Sequence, residues 1–360
     1  MDYLRELNPE QYEAAVTTEG YIRVVAGAGS GKTKTLTARY MYLVEMLGIS
    51  TANILCVTFT NKAAAEMKKR IRRQLPDQDL GRITTFHGFC VGLLKEDCHV
   101  IQYPTSFLVL DEEDKEAMLR TCFEDLGITS RDMTIKEAVD HIGWRKGGRG
   151  YVKTLIGSPE RLLQLSNEAT TLKDKVLYRY FYEQRKCYGL DFDDLVYFAL
   201  YILEQDRETR EKWQHRLEYI MVDEFQDIDK DQYALADILS GYHRNLFVVG
   251  DPDQTIYTWR GADVKFILEF DSRHENVKTI YLNTNYRSVP QILTASNALI
   301  DKNRDRLKKK LSAVRAESRK PLYFHAKTGQ LEADWMTANM RALHEGGMPY
   351  SAMGVLYRAH

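Results

Sequence analysis

The sequence predicts an α/β protein built on a parallel sheet, carrying a helical insertion and followed by the start of a second α/β unit. Three observations carry that expectation. Strand-like and helix-like segments alternate over the first hundred residues; from about residue 105 to 215 strand signals become scarce; beyond 215 they return. Strands alternating with helices imply right-handed βαβ units, and such units imply parallel pairing.

Residues 21–26 form a short, mostly apolar run that leads into glycines. Residues 32–47 follow with Leu36, Tyr40, Leu43, Val44 and Leu47 at helical spacing. A second apolar run spans 53–59, an Ala/Met/Lys/Arg-rich helix 61–75 and a short strand 82–85, and another helix starts at Phe86. In the middle stretch helical patterns dominate, as at 174–186 and 192–203. The basic, glycine-rich run from Trp144 to Lys153 reads there as a mobile loop. Strands at 219–222 and 246–250 are expected to rejoin the first sheet. A second unit is then expected from Val277, with strands at 279–282, 321–325 and 353–357 and helices at 290–302 and 331–343. The expected division is 1–104 with 216–276 for the first α/β domain, 105–215 for the insertion, and 277–360 for an incomplete second α/β domain.

Composition sets the outer bounds. A chain of 360 residues has room for two or three domains. Fifty basic and 51 acidic residues leave a formal net charge of −1, so a nucleic-acid ligand requires basic groups gathered on one face. The five cysteines are odd in number and form no C-x-x-C pair. That argues against a zinc site or a disulfide framework and makes a reducing cytoplasm the expected compartment. The first residues lack the apolar core of a secretory signal, and no run reaches the roughly 20 apolar residues of a membrane span.

The segment Ala26-Gly27-Ala28-Gly29-Ser30-Gly31-Lys32-Thr33 lies between an apolar strand and a helix, the context a phosphate-binding P-loop requires. Its glycines let backbone N–H groups point at an anion, and the positive end of the following helix adds to that field. Lys32 is expected to reach the β- and γ-phosphates and the Thr33 hydroxyl to bind Mg²⁺. Ala26 stands where the strict pattern has its first glycine. A P-loop also needs an acidic partner, and Tyr219-Ile220-Met221-Val222-Asp223-Glu224 supplies one at the end of an apolar strand. Asp223 is expected in the Mg²⁺ shell, with Glu224 orienting or deprotonating water. Neighbouring strand residues face opposite ways, so both carboxylates reach one site only if the strand stops there.

Asp223-Glu224-Phe225-Gln226-Asp227 resembles the DExQD signature of superfamily-1 helicases of the UvrD/Rep/PcrA branch, and further segments match in order from residue 7 onward. The resemblance implies a RecA-like P-loop NTPase fold. It implies an ATP- and Mg²⁺-dependent motor moving 3′→5′ on single-stranded DNA, acting on DNA with a 3′ single-stranded tail, with repair or replication partners that the sequence does not name.

Residue by residue, Leu7-Asn8-Pro9-Glu10-Gln11 looks like the Q motif, which gives Gln11 the adenine edge. The loop from Ala28 through Gly29, Ser30, Gly31, Lys32, Thr33 and Lys34 holds the phosphates, and Arg39 matches an arginine that contacts the nucleotide. Thr58-Phe59-Thr60-Asn61 is similar to motif Ia, and Thr84-Thr85-Phe86-His87 to the next DNA-contacting segment. This marks Thr58, Phe59, Asn61, Thr85 and His87 for DNA. Leu190-Asp191-Phe192-Asp193-Asp194-Leu195 is similar to the family's LDFDDL segment. The run from Gly250 to Ala262 resembles motif III, in which Gln254 senses the γ-phosphate while Tyr257, Trp259 and Arg260 belong to the DNA track. Asn285-Tyr286-Arg287-Ser288 resembles motif IV, with Tyr286 on adenine and Arg287 on the γ-phosphate. Val355-Leu356-Tyr357-Arg358 looks like the family's next strand.

Lys32, Glu224, Gln254 and Arg287 are thus the expected catalytic groups. An arginine at a developing phosphoryl charge is worth roughly 10³–10⁵ in rate. Each aromatic–base stack contributes roughly 1–3 kcal/mol without regard to sequence, as a motor requires. The run from Asn303 to Lys310 reads as a solvated basic face. The family's later motifs have no counterpart here, so the chain reads as the N-terminal part of such a motor, binding nucleotide even without unwinding. The alternative is a DNA- or partner-binding P-loop module with no productive turnover.

Overall fold

A computed structural model describes residues 2–76, 79–303 and 306–357. Its ten strands among these residues are β1 (Tyr21–Ala26), β2 (Ile54–Val57), β3 (Arg82–Thr84), β4 (Leu108–Leu110), β5 (Gly189–Asp191), β6 (Tyr219–Val222), β7 (Leu246–Gly250), β8 (Lys278–Leu282), β9 (Thr284–Asn285) and β10 (Ser312–Ala313). Six form one sheet in the order β3-β2-β6-β7-β1-β8, with every neighbouring pair parallel. Strands β2, β6 and β7 are buried along their whole length, and β1 in all but its first residue. Burial on both faces explains why they appear in the sequence as continuous apolar runs without alternation.

The strand expected to open a second unit near Val277 belongs instead to this sheet. Residues Lys278–Leu282 pair with Ile22–Ala26. Ile280 and Leu282 bury in the same core as Ile22 and Val24, and the Arg23 guanidinium reaches across to Asp271 and Thr279. The apolar run marks a strand but carries no information about which sheet it joins, so the boundary drawn at residue 277 cuts the first sheet.

The insertion folds into helices Glu112–Leu126, Ile135–Arg145, Gly150–Leu155, Pro159–Glu168, Leu172–Cys187, Phe192–Gln205 and Arg207–Arg216. The short parallel pair β4–β5 is an element the sequence reading missed. Its apolar side chains share one core with a face of the sheet: Phe123, Leu162 and Phe181 belong to the same cluster as Val57, Ile220 and Val248.

The run from Trp144 to Lys153 is no mobile loop. It closes one helix and opens the next, and Lys146 is only 1% exposed. The Lys146 ammonium lies 2.6 Å from Asp191 Oδ2 and 2.8 Å from Asp194 Oδ1, and Tyr151 and Gln184 also donate to Asp194. A charge buried this deeply persists only when paired and hydrogen-bonded.

After Leu293 no described residue is buried along its whole length, though the side chains of Arg306 and Lys309 are covered. Helices Pro290–Ile300 and Gly329–Glu345 form, and β9 pairs with β10, but the strands expected at 321–325 and 353–357 do not. An extended run needs a neighbouring strand to satisfy its backbone groups, and among the described residues neither segment joins a sheet. Arg358, like Arg304 and Asp305, lies outside the described residues. No helix among the described residues is long and apolar enough to cross a membrane.

Candidate active site

Open parallel sheets bind ligands beyond the carboxyl ends of their strands. Here the ends of β1, β6, β7 and β8 surround a cleft of about 410 Å³. Residues 27–34 form its floor, and Arg70, Glu224, Gln254, Tyr286 and Arg287 form its walls. Gly29 and Gly31 adopt φ of 67° and 85°, open to glycine at little cost. Space requires glycine as well: a Cβ at Gly29 would lie 2.6 Å from Arg287 Cβ, and one at Gly31 2.5 Å from Gln11 Nε2. Helix Lys32–Glu45 begins at this turn, so the cleft faces its positive end.

The acidic pair sits where β6 stops. The Asp223 N–H still donates to Val57 O at 2.9 Å, after which Glu224 turns into the left-handed region at φ 49°. That turn costs a non-glycine residue about 1–2 kcal/mol. It brings Glu224 into the cleft wall, while the Asp223 carboxyl lies outside the lining but within the field of Glu224 and Lys32. Glu224 Oε2 accepts from Lys32 Nζ at 2.8 Å. Burial, followed by the charge of Glu224, pushes the Asp223 carboxyl up to about 6, with Lys32 opposing.

These residues suit a magnesium nucleotide. Lys32 is balanced by a single close carboxylate, Thr33 opens the helix beside it, and the glycines leave the floor without side chains. No group of three or more His, Cys, Asp or Glu residues placed to hold a metal ion occurs among the described residues, this cleft included. Mg²⁺ is usually held by one or two protein oxygens together with substrate phosphates and water. Gln11 lies beneath the loop, donating to Ser30 O at 2.8 Å while its own oxygen accepts from Asn8 N–H. Lys34 lines the cleft and reaches back to Glu6.

Arg39 is placed differently from the expectation. It is buried away from the cleft, stacks over Phe247 and donates to the carbonyls of Ala14, Thr17 and Thr18. Its guanidinium ties helix Pro9–Val16 to the core and is not presented to a nucleotide. Arg70, by contrast, was missed. The basic face of helix Asn61–Arg72 gave no sign that one of its arginines lines the cleft.

A second cavity, of about 440 Å³, opens farther along the same edge, beyond β2 and β3. Thr58, Phe59, Thr85, His87, Tyr257 and Arg260 line it, with Phe86, Asp193, Asp227, Asp229 and Gln232. The Phe59 and Tyr257 rings lie 4.5 Å apart. Trp259 stands 73% exposed at the rim, 6.4 Å from Tyr257, and the Arg260 guanidinium covers both rings. Thr85 caps helix Phe86–Asp97, which fixes His87 edge-on to Phe192. Burial lowers the His87 pKa and raises those of Asp193, Asp227 and Asp229. Asn61, expected in this set, stands exposed at the start of its helix and outside the groove wall.

Gln226 connects the two cavities and was not singled out by its sequence position. Its amide nitrogen donates to Glu224 and Asp227, and its oxygen accepts from Asp251 N–H at 2.9 Å. Asp227 in turn accepts from the Ile256 N–H, beside Tyr257.

The family model described as the UvrD/REP helicase N-terminal domain matches residues 7–275, and the UvrD-like helicase C-terminal domain matches 280–360. The chain belongs to the UvrD/REP helicase family. Similar curated proteins include the ATP-dependent DNA helicase PcrA of Staphylococcus epidermidis, 36% identical over 359 residues, which are 99% of this chain and 48% of that protein. The PcrA of Staphylococcus aureus is 35% identical over 362 residues, again 99% of this chain and 48% of the relative. The chain thus spans about half the length of these relatives.

Proposed function

We propose that this chain is the nucleotide-binding and strand-gripping core of an ATP-dependent DNA motor that moves 3′→5′ along single-stranded DNA and engages duplexes with a 3′ single-stranded tail. The observation that carries this reading is the placement of a phosphate cradle and an aromatic groove on one sheet edge, joined through Gln226.

In this reading Lys32 leaves Glu224 and neutralises the β- and γ-phosphates. Glu224, freed of that partner, holds the attacking water and accepts its proton. Thr33 and Asp223 would hold Mg²⁺ together with the phosphates, and the ion would supply positive charge at the γ-phosphoryl oxygens. Gln254 and Arg287 contact the γ-phosphate from the cleft wall, and Tyr286 stacks on the adenine. Gln11 positions the loop beneath. Phe59, Tyr257 and Trp259 stack bases, while Thr58, Thr85, His87 and Arg260 hold the strand.

The test is ATP hydrolysis by the chain with and without oligonucleotides. Hydrolysis is expected to rise with single-stranded DNA and hardly at all with blunt duplex. Lys32→Ala is expected to lower turnover by about 10²–10³, as for loss of a group that stabilises transition-state charge. A Lys32→Ala variant with the parent's turnover rejects the site.

A further inference from the structure

The basic run near residue 306 reads in the sequence as a solvated face, but two of its side chains are buried against the nucleotide site. Lys309 is 4% and Arg306 7% exposed at the side chain. Lys309 Nζ bonds Asp251 and lies 2.7 Å from Asp253 Oδ2, and Arg306 Nη2 lies 3.0 Å from that same oxygen. Both acids belong to the turn after β7 that carries Gln254, whose amide nitrogen donates to the other oxygen of Asp251. One carboxylate is therefore shared between Lys309 and Gln254.

The segment that carries Lys309 is tied to the cleft a second time. Ser312 N–H donates to Asn283 O and Val314 N–H to Asn285 O, which fastens β10 to β9. Asn285 Nδ2 donates to Ala28 O, and Tyr286 N–H donates to Gly29 O at 2.9 Å. Leu311 lies over Gly27, where a Cβ would come within 2.4 Å of its Cδ2. Tyr286, Arg287 and Lys309 are thus parts of one body that rests on the phosphate loop.

We propose that Lys309, supported by Arg306, is a positioning residue for the nucleotide site: it holds the Asp251 carboxylate in the orientation that aims Gln254 into the cleft. The inference rests on the reading of Gln254 as a γ-phosphate contact. Removing one partner of a buried ion pair leaves the other charge uncompensated. Asp251 then turns to find another donor, and Gln254 turns with it. Because Lys309 shares a body with Tyr286 and Arg287, the aim of Gln254 depends on where that body sits. A triphosphate is read from both walls of the cleft at once, and a diphosphate is not.

The experiment is equilibrium binding of fluorescent ADP and of a fluorescent non-hydrolysable ATP analogue to the chain, to Lys309→Met and to Lys309→Arg. Lys309→Met is expected to keep ADP affinity within about twofold and to weaken the triphosphate analogue about 10- to 100-fold, the scale of a misplaced contact group. Lys309→Arg is expected to recover most of the loss. Equal binding of both nucleotides by Lys309→Met and the parent overturns the proposal. So does an equal loss for both nucleotides accompanied by a lower melting temperature, because that marks a purely structural pair. The readout needs no turnover and no DNA. A parent chain that discriminates between the nucleotides but ignores oligonucleotides in hydrolysis therefore counts against the motor reading and leaves this one standing.

Discussion

The phosphate cleft and the aromatic groove occupy the same edge of the same sheet, yet they are built from opposite materials. The cleft is backbone and charge: three glycines, a helix start and a lysine held by a carboxylate. The groove is side chain: rings from the loop after β2, the helix after β3 and the turn after β7, one of them standing almost free in solvent. A backbone cradle recognises phosphate wherever it meets it, and a ring recognises the face of any base. On the proposed reading, the difference teaches that the molecule separates the ligand it must hold in a fixed geometry from the one it must let slide.

The largest effect that can break this division lies in the groove. Tyr257→Ala combined with Trp259→Ala is expected to weaken oligonucleotide binding by roughly 1–3 kcal/mol for each lost stack. ADP affinity should stay unchanged in the same titration. A parallel loss of ADP binding collapses the distinction between the two regions.

A smaller effect is expected at the bridge. Gln226→Leu keeps the bulk but removes the bonds to Glu224, Asp227 and Asp251. Each ligand measured alone should bind nearly as before, while the coupling between them, read as the change in DNA affinity on adding an ATP analogue, falls by about 0.5–2 kcal/mol.

The smallest effect belongs to a control away from both regions. Arg216 and Lys212 hold the Glu96 carboxyl down to about 2, linking helix Phe86–Asp97 to helix Arg207–Arg216. A carboxyl depressed in the folded state contributes stability above its ordinary value near 4.5, and that contribution fades as pH falls toward 2. The glutamate side chain is 38% exposed, so Glu96→Gln should cost less than about 1 kcal/mol at pH 7. The gap between the urea midpoints of the variant and the parent should narrow between pH 5 and pH 3.5, and neither ligand should bind differently.

Legibility in the sequence followed the same line between backbone and side chain. The P-loop and the end of β6 depend on local spacing, and Lys32, Thr33 and Glu224 line one cleft, while Asp223 is not among the lining residues. Arg39 looked like a nucleotide contact because it lies on the right helix, but the direction of its side chain is set by Phe247 and three distant carbonyls. Lys146 and Lys309 looked solvated because their acidic partners lie 45 and 58 residues away along the chain. The strand at 278–282 was visible as a strand, but its allegiance was not, because pairing is a property of two segments. The late strands failed for the same reason: the apolar runs at 321–325 and 353–357 enter no strand pairing among the described residues.

The core that runs without a break from the sheet into the helices of residues 112–216 has a practical consequence. Phe89 packs edge-on to Trp213 across that junction, and Asp97 holds the indole N–H. The insertion is therefore no detachable cassette. A chimaera that exchanges these helices with those of a relative must import the matching outer face of Phe86–Asp97 as well, or it will open a seam of unmatched rings between that helix and Arg207–Arg216.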